Sequence, residues 1–268
     1  MIESPGLLLL AGTLLAAAVM FALWLLGLRY HNFSYVDIGW SGNFAVLGAF
    51  YAVLSPGYPW RRALIATMFA VHGLRLGWHL GKRIIGEPEE GRYVQLRKEW
   101  GASGNLNLKF LGFFEFQAAL NAFLALPLLI ACFNREPRIH PLEWLGLALF
   151  VLGLIGESAA DAQLAAFKRN PATRGGVCDV GLWRYSRHPN YFFEWLIWIA
   201  YAIFALASPH GWIALAMPVL MLHFLLNVTG VKATEEQALR SKGERYRLYQ
   251  ARTSGFIPWM PRKVRSQS

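Results

Sequence analysis

The chain has 268 residues, 55% of them hydrophobic and 16% charged, with a formal net charge of +10. That is too apolar and too weakly charged for an ordinary soluble domain, and the apolar residues fall in long runs, which points to a membrane protein. The basic residues flank apolar spans and lack the form of a groove-reading module, so nucleic acid is not an expected partner.

Seven spans of about 17–25 residues are expected, the length that crosses a hydrocarbon core of about 30 Å. In chain order they are 6–28, 36–54, 62–81, 111–132, 141–167, 191–208 and 210–228. The first follows a single charged residue, Glu3, and outruns a signal-peptide core, so it is read as a retained helix, with a cleaved signal as the alternative. Turn signals at Ser55-Pro56-Gly57, at Pro137 with Pro141, and at Ser208-Pro209-His210-Gly211 agree with these limits. The last turn is so short that spans six and seven should form an antiparallel hairpin. Polar segments at 82–110 and 168–190 and a polar tail from 229 complete the chain. With no internal repeat and no low-complexity linker, 1–268 reads as one all-α, membrane-embedded domain. Cys132 and Cys178 fall on opposite sides of the membrane in this topology, so no disulfide is expected. Neither cysteine has metal-ligand spacing, and no metal site is expected.

Lys and Arg set the orientation. With the N-terminus outside, the inner segments carry Arg29, six basic residues between Lys82 and Lys109, five between Lys168 and Arg187, and nine from Lys232 to Arg265. The outer loops carry only Arg61, Arg62, Arg135 and Arg138. This asymmetry places the C-terminus of a multi-pass chain in the cytoplasm.

In that topology the intramembrane polar groups gather in the cytoplasmic half. Asp37 opens span two, and His72, Arg75 and His79 share one face of span three. Glu115 starts span four; Glu157 and Asp161, four apart, share a face of span five. Asn190 and Glu194, also four apart, start span six, and His223 ends span seven. Snorkelling accounts for Lys82, Arg83 and Lys109. It does not serve Asp37, Arg75, Glu157, Asp161 and Glu194, whose side chains are short or deep. A polar cavity open to the cytoplasm accounts for the set, with interhelical glue as the competing explanation. Trp60, Trp144 and Trp212 fit interfacial belts. Trp40 and Trp195 could line an apolar slot for a flat ligand or pack against lipid.

The most informative stretch is 181–198, GLWRYSRHPNYFFEWLIW, where Arg184, Tyr185, Arg187, His188 and Asn190 crowd the mouth of an apolar helix. Arg75, Arg83, Lys168, Arg169, Arg174, Arg184 and Arg187 converge at the inner face, and guanidinium groups bind phosphate bidentately. Pro189 suits a first helical turn, whose free N–H groups would face an anion. Glu194 and Asp161, deeper, could accept hydrogen bonds from a ribose or a carboxamide. Phosphates outside and sugar or amide inside suit a dinucleotide. No GxGxxG follows a strand, and no G-x-S-x-G, HExxH or Walker A sequence appears.

The RYSRHPNYFFEW segment, 184–195, resembles the carboxy-terminal signature of the steroid 5α-reductase (3-oxo-5α-steroid 4-dehydrogenase) family, in its bacterial branch. Glu157 with Asp161 ahead of Lys168, the Leu74-Arg75-Leu76 face and the tail GVKATEEQALRSKGERYRLYQARTSGFIPW support it. The resemblance covers most of the chain from span two onward. It implies seven helices, NADPH as hydride donor, and a lipid-soluble, steroid-like enone as acceptor, with membrane lipids and no obligatory protein partner. It implies that Asn190, Glu194 and Asp161 contact the nicotinamide and ribose, and that Lys168, Arg184 and Arg187 face phosphates. Asp37 and His72 stand where relatives carry a glutamate and a tyrosine near the steroid carbonyl, with Tyr35 as a substitute donor. Tyr246 and Tyr249 would close over the adenine.

The expected reaction is reduction of the 4,5 double bond of a 3-oxo-Δ4 steroid or similar lipid enone, with hydride going to the β-carbon. A hydrogen-bond donor on the carbonyl would stabilise the developing enolate. The RHPNY element is shared with sterol C14 and C7 reductases. It is shared too with isoprenylcysteine and phospholipid methyltransferases that use S-adenosylmethionine, so the alternatives are that methyl transfer or a sterol C14/C7 reductase-like reaction. A transporter is disfavoured, since paired halves and broken helices are not seen.

Overall fold

A computed structural model describes residues 1–101, 104–228 and 230–262. It is helical, and no strand occurs among the described residues. Two compact units form: Met1–Pro141 with Phe204–Ile213, and Leu142–Ile203 with Ala214–Ser268.

The first unit contains α1 (Pro5–Tyr30), α2 (Tyr35–Leu54), α3 (Pro59–Ile84), α4 (Gly91–Gly101), α5 (Leu106–Leu124) and α6 (Leu126–Phe133). The Ser4 hydroxyl accepts a hydrogen bond from the Leu7 N–H, and Pro5 occupies the first turn, so α1 starts where its sequence dictates. Helices α2 and α3 approach closely at Gly73, where an added Cβ would stand 2.5 Å from the Ser41 carbonyl oxygen. Small residues permit such contact where lipid removes the usual hydrophobic drive between helices. Polar side chains then fasten the helices. Asn43 on α2 donates to Asn121 on α5 at 3.2 Å and to the Ala16 carbonyl on α1 at 3.4 Å; Asn121 donates to the Trp40 carbonyl at 3.0 Å.

Two features of this unit differ from the sequence expectation. The polar segment 82–110 contains a helix, α4, held to the start of α2 by side chains. Glu89 accepts from the Phe33 N–H at 2.8 Å and from Arg97 at 2.9 and 3.0 Å, while the Ser34 hydroxyl accepts from the Glu90 N–H at 2.9 Å. Arg61, expected in an outer loop, is fully buried. Its guanidinium donates to the carbonyls of Asn134 (3.1 Å), Glu136 (2.6 Å) and Arg138 (2.6 Å), closing the loop after α6.

The second unit is built on α7 (Pro141–Arg169), α8 (Pro189–Ala205), α9 (Ala216–His223), α10 (Val231–Lys242) and α11 (Glu244–Arg252). A tight helical turn, Gly181–Arg184, precedes α8, and a wide π-type turn, Phe224–Val228, follows α9. The polar tail is therefore also largely helical.

Among the described residues, four helical stretches are long and apolar enough to cross a membrane: Pro5–Tyr30, Leu106–Phe133, Pro141–Arg169 and Gly211–Lys242. The protein is thus a helical membrane protein. In the last stretch the apolar part ends at Val228, and α10, with Lys232, Glu235, Glu236, Arg240 and Lys242, lies outside it. The other three expected spans exist as helices but fall short for physical reasons. Helix α2 carries Asp37, Ser41 and Asn43, α3 carries His72, Arg75 and His79 besides its terminal basic residues, and α8 has only 17 residues. Both cysteines are free and buried, Cys132 in the first unit and Cys178 in the second.

Candidate functional site

The densest set of expected site residues brought together lies between α7 and α8. Helix α7 presents Gly153 and Gly156 to α8. A Cβ on Gly153 would lie 2.7 Å from Ile197 Cγ1, and one on Gly156 would overlap the Phe193 ring. This close approach aligns Glu157 and Asp161 of α7 with Asn190 and Glu194 of α8. Asn190 Nδ2 donates to Asp161 Oδ1 at 3.3 Å. Glu157 and Glu194 each offer a carboxylate oxygen within 4.8 Å of the other's. Glu194 accepts from Trp198 Nε1 at 2.8 Å, and Trp198 meets Tyr201 edge-on at 5.5 Å. Asn190 Oδ1 is buried with no hydrogen-bond partner. A buried acceptor left unmade costs about 1–3 kcal/mol, which a ligand donor would recover.

Acceptors outnumber donors in this set. Three carboxylates and an amide oxygen supply acceptors, so the site suits a ligand that donates hydrogen bonds: sugar hydroxyls, a primary amide or an ammonium. The residues of the second unit expected at the phosphates divide into two groups. Lys168, Arg169, Arg174 and Arg184, with Tyr185, stand at the exposed surface. Arg187 and His188 do not. Arg187 Nε donates to Glu235 Oε1 at 2.6 Å, and its Nη1 donates to the carbonyls of Gln250 (3.1 Å) and Thr253 (2.7 Å). His188 Nε2 lies 3.2 Å from Glu235 Oε1, and its ring stacks on Tyr191. Gln250 donates to Glu235 Oε2 at 2.9 Å. Burial pushes the Glu235 carboxyl up, but the hydrogen bonds from His188 and Arg187, the Arg187 charge and Gln250 outweigh it and hold the group at about 2.

The RYSRHPN segment is therefore a fastening for the C-terminal segment. The Ser186 hydroxyl donates to the Phe256 carbonyl at 2.7 Å, the Arg187 N–H donates to the Ser254 carbonyl at 2.8 Å, and the Tyr249 hydroxyl donates to the Trp183 carbonyl. Tyr246 and Tyr249, expected over an adenine, are buried in this joint, and burial pushes the Tyr246 phenol up to about 12. Trp195 is a packing residue, donating to the Pro218 carbonyl at 2.9 Å and meeting Phe256 at 5.8 Å.

The remaining expected residues lie in the first unit. Asp37 accepts from the Tyr93 hydroxyl at 2.8 Å and pairs with Arg92. Burial pushes the Tyr93 phenol well above its ordinary 10. Tyr35 meets Tyr30 edge-on at 6.2 Å, and Trp40 meets Phe44 edge-on at 5.7 Å. His72 is buried and Arg75 half-buried on α3. Arg83 donates from Nε to Glu90 at 3.0 Å. Reasoning from the sequence missed Glu235, Gln250, Arg92, Tyr93 and Arg61. Their partners lie far along the chain, and no local spacing announces them.

A protein-family model described as "Protein of unknown function (DUF1295)" matches residues 23–253. The chain belongs to the DUF1295 family. DUF1295 is distinct from the steroid 5α-reductase family, so this match overturns the membership suggested by 184–195. The physical reason lies in the segment itself: in this DUF1295 protein its Ser186, Arg187 and His188 fasten the C-terminal segment, a task that specifies no reaction. An uncharacterised protein of Schizosaccharomyces pombe (strain 972 / ATCC 24843) is 29% identical over 170 residues, covering 53% of this chain and 47% of that protein. The chain thus spans about half the length of the curated relative it matches. No solved structure matches this DUF1295 chain.

Proposed function

We propose that this DUF1295 protein is a multi-pass enzyme of the bacterial inner membrane that uses NADPH to reduce the conjugated double bond of a lipid-soluble enone. In this reading seven helices cross the bilayer, with the N-terminus outside and the C-terminus in the cytoplasm, as the distribution of Lys and Arg favours. The observation that carries the reading is the unpartnered, buried Asn190 Oδ1 amid the carboxylates of Asp161, Glu157 and Glu194. These acceptors fit the carboxamide and ribose hydroxyls of a nicotinamide nucleotide. Lys168, Arg169, Arg174 and Arg184, solvated at the surface, would hold its phosphates. When bound, the nucleotide supplies the hydride. Glu194, anchored by Trp198, would fix the sugar and amide end, and the apolar α7–α8 contact would keep water from it.

A second reading is favoured by one observation. Two carboxylates within 4.8 Å attract a cation, which suits S-adenosylmethionine and methyl transfer to a lipid.

The test uses protein purified in detergent. NADPH consumption should depend on an added 3-oxo-Δ4 steroid, and Glu194→Ala should remove most of it. Unchanged turnover in that variant would discard the assigned site, and methyl transfer from S-adenosylmethionine without NADPH consumption would establish the second reading.

A further inference from the structure

The joint between the RYSRHPN segment and the C-terminal segment encloses a surface cavity of about 260 Å³ that the reductase reading does not use. Arg187, Arg252, Arg262, Ser254, Trp259 and Met260 are among the residues that line it. Among the described residues no carboxylate lines it. Its walls are fixed by backbone hydrogen bonds: the Arg187 N–H to the Ser254 carbonyl (2.8 Å), Trp259 to Tyr185 (2.9 Å) and Arg262 to Arg252 (2.8 Å). Glu235 and Asp179 pair with Arg187 and Arg252. Of the three arginines on the cavity face, two thus have carboxylate partners from outside its lining and the third, Arg262, is exposed, so the face offers hydrogen-bond donors to an anion.

Its rim is apolar and solvent-facing. Trp259 and Met260 are 71% and 74% exposed, a wasteful arrangement for a tail in water. Tryptophan beside arginine is the composition of a headgroup-level contact, where an amphipathic ring and a cation both find partners. The volume lies below the about 300–1,000 Å³ of sites that engulf a drug-sized ligand. That suits a phosphate headgroup whose tails stay in lipid.

We propose that this cavity binds the phosphate of an anionic membrane phospholipid, with Arg252 and Arg262 on the phosphate and Trp259 and Met260 against the glycerol and upper acyl chain. The lipid would thereby clamp the C-terminal segment to the membrane surface. Charge complementarity and the apolar rim together select this occupant over a soluble phosphate.

The full-length protein, purified in a non-ionic detergent, is titrated by calorimetry with dihexanoyl-phosphatidylglycerol, dihexanoyl-phosphatidylcholine and inorganic phosphate. Phosphatidylglycerol should bind saturably and phosphatidylcholine should not. Arg262→Gln should weaken binding about fivefold and Arg252→Gln with Arg262→Gln about 25-fold, at about 1 kcal/mol per cation near the surface, with NADPH-dependent turnover unchanged. The Arg262 side chain is exposed, so the single variant carries the test if loss of the Asp179 pair unfolds the double variant. Equal binding of phosphatidylcholine, or full phosphatidylglycerol affinity in Arg262→Gln, overturns the proposal. Inorganic phosphate binding as tightly as phosphatidylglycerol overturns the lipid assignment in favour of a soluble anion.

Discussion

Glu235→Gln isolates the joint that ties the start of α8 to the C-terminal segment. In the folded protein this carboxyl titrates at about 2 rather than the ordinary 4.5, because His188, Arg187 and Gln250 outweigh the cost of burial. A folded value below the unfolded one stabilises the fold above about pH 4.5, and that contribution fades as pH falls toward 2. The full shift corresponds to about 3 kcal/mol. The joint lies near the surface, with side chains 14% and 17% exposed, so screening reduces this to about 2 kcal/mol. Thermal unfolding in detergent should show the variant melting about 4–8 °C below wild type at pH 7. The gap should close as pH falls through about 2, where the wild-type carboxyl itself takes up its proton. A gap of constant size across that range would show that Glu235 acts through shape alone and would refute the electrostatic account.

Gly156→Val places methyl groups inside the Phe193 ring, and overpacking of this kind costs about 1–3 kcal/mol. It should lower the melting temperature and, by parting α7 from α8, weaken NADPH binding more than Gly112→Val, whose Cβ position is open. Arg61→Ala strands three carbonyls and opens a cavity, so a loss of about 3 kcal/mol or more should appear as reduced thermal stability and faster proteolysis of the loop after α6. Normal stability in Arg61→Ala would mean that the three hydrogen bonds contribute nothing net.

Helices rich in apolar residues were legible because a run of such residues near the length of a bilayer has few alternatives. Helices α4, α10 and α11 were not: they have few buried residues and their stripes are broken by charge. The acceptor set on α7 and α8 was legible, because spacings of four put Glu157 with Asp161 and Asn190 with Glu194 on shared faces. The fate of Arg187 was not. Its charge beside a helix mouth reads as a ligand contact, yet Glu235 lies 48 residues away in the chain and claims it. Arg61 failed for the same reason, since its three acceptors lie 73, 75 and 77 residues further on. Family membership failed differently: a short basic-aromatic motif that fastens a tail can serve unrelated reactions.

The central claim is that the acceptor cluster on α7 and α8 holds the amide and sugar of a nicotinamide nucleotide. Calorimetric titration of the purified protein with NADPH, and separately with S-adenosylmethionine, tests it most directly. NADPH should bind, S-adenosylmethionine should not, and Asn190→Ala should weaken NADPH about tenfold, the worth of a single buried hydrogen bond. Heat from S-adenosylmethionine with none from NADPH, or equal NADPH affinity in Asn190→Ala, would contradict it.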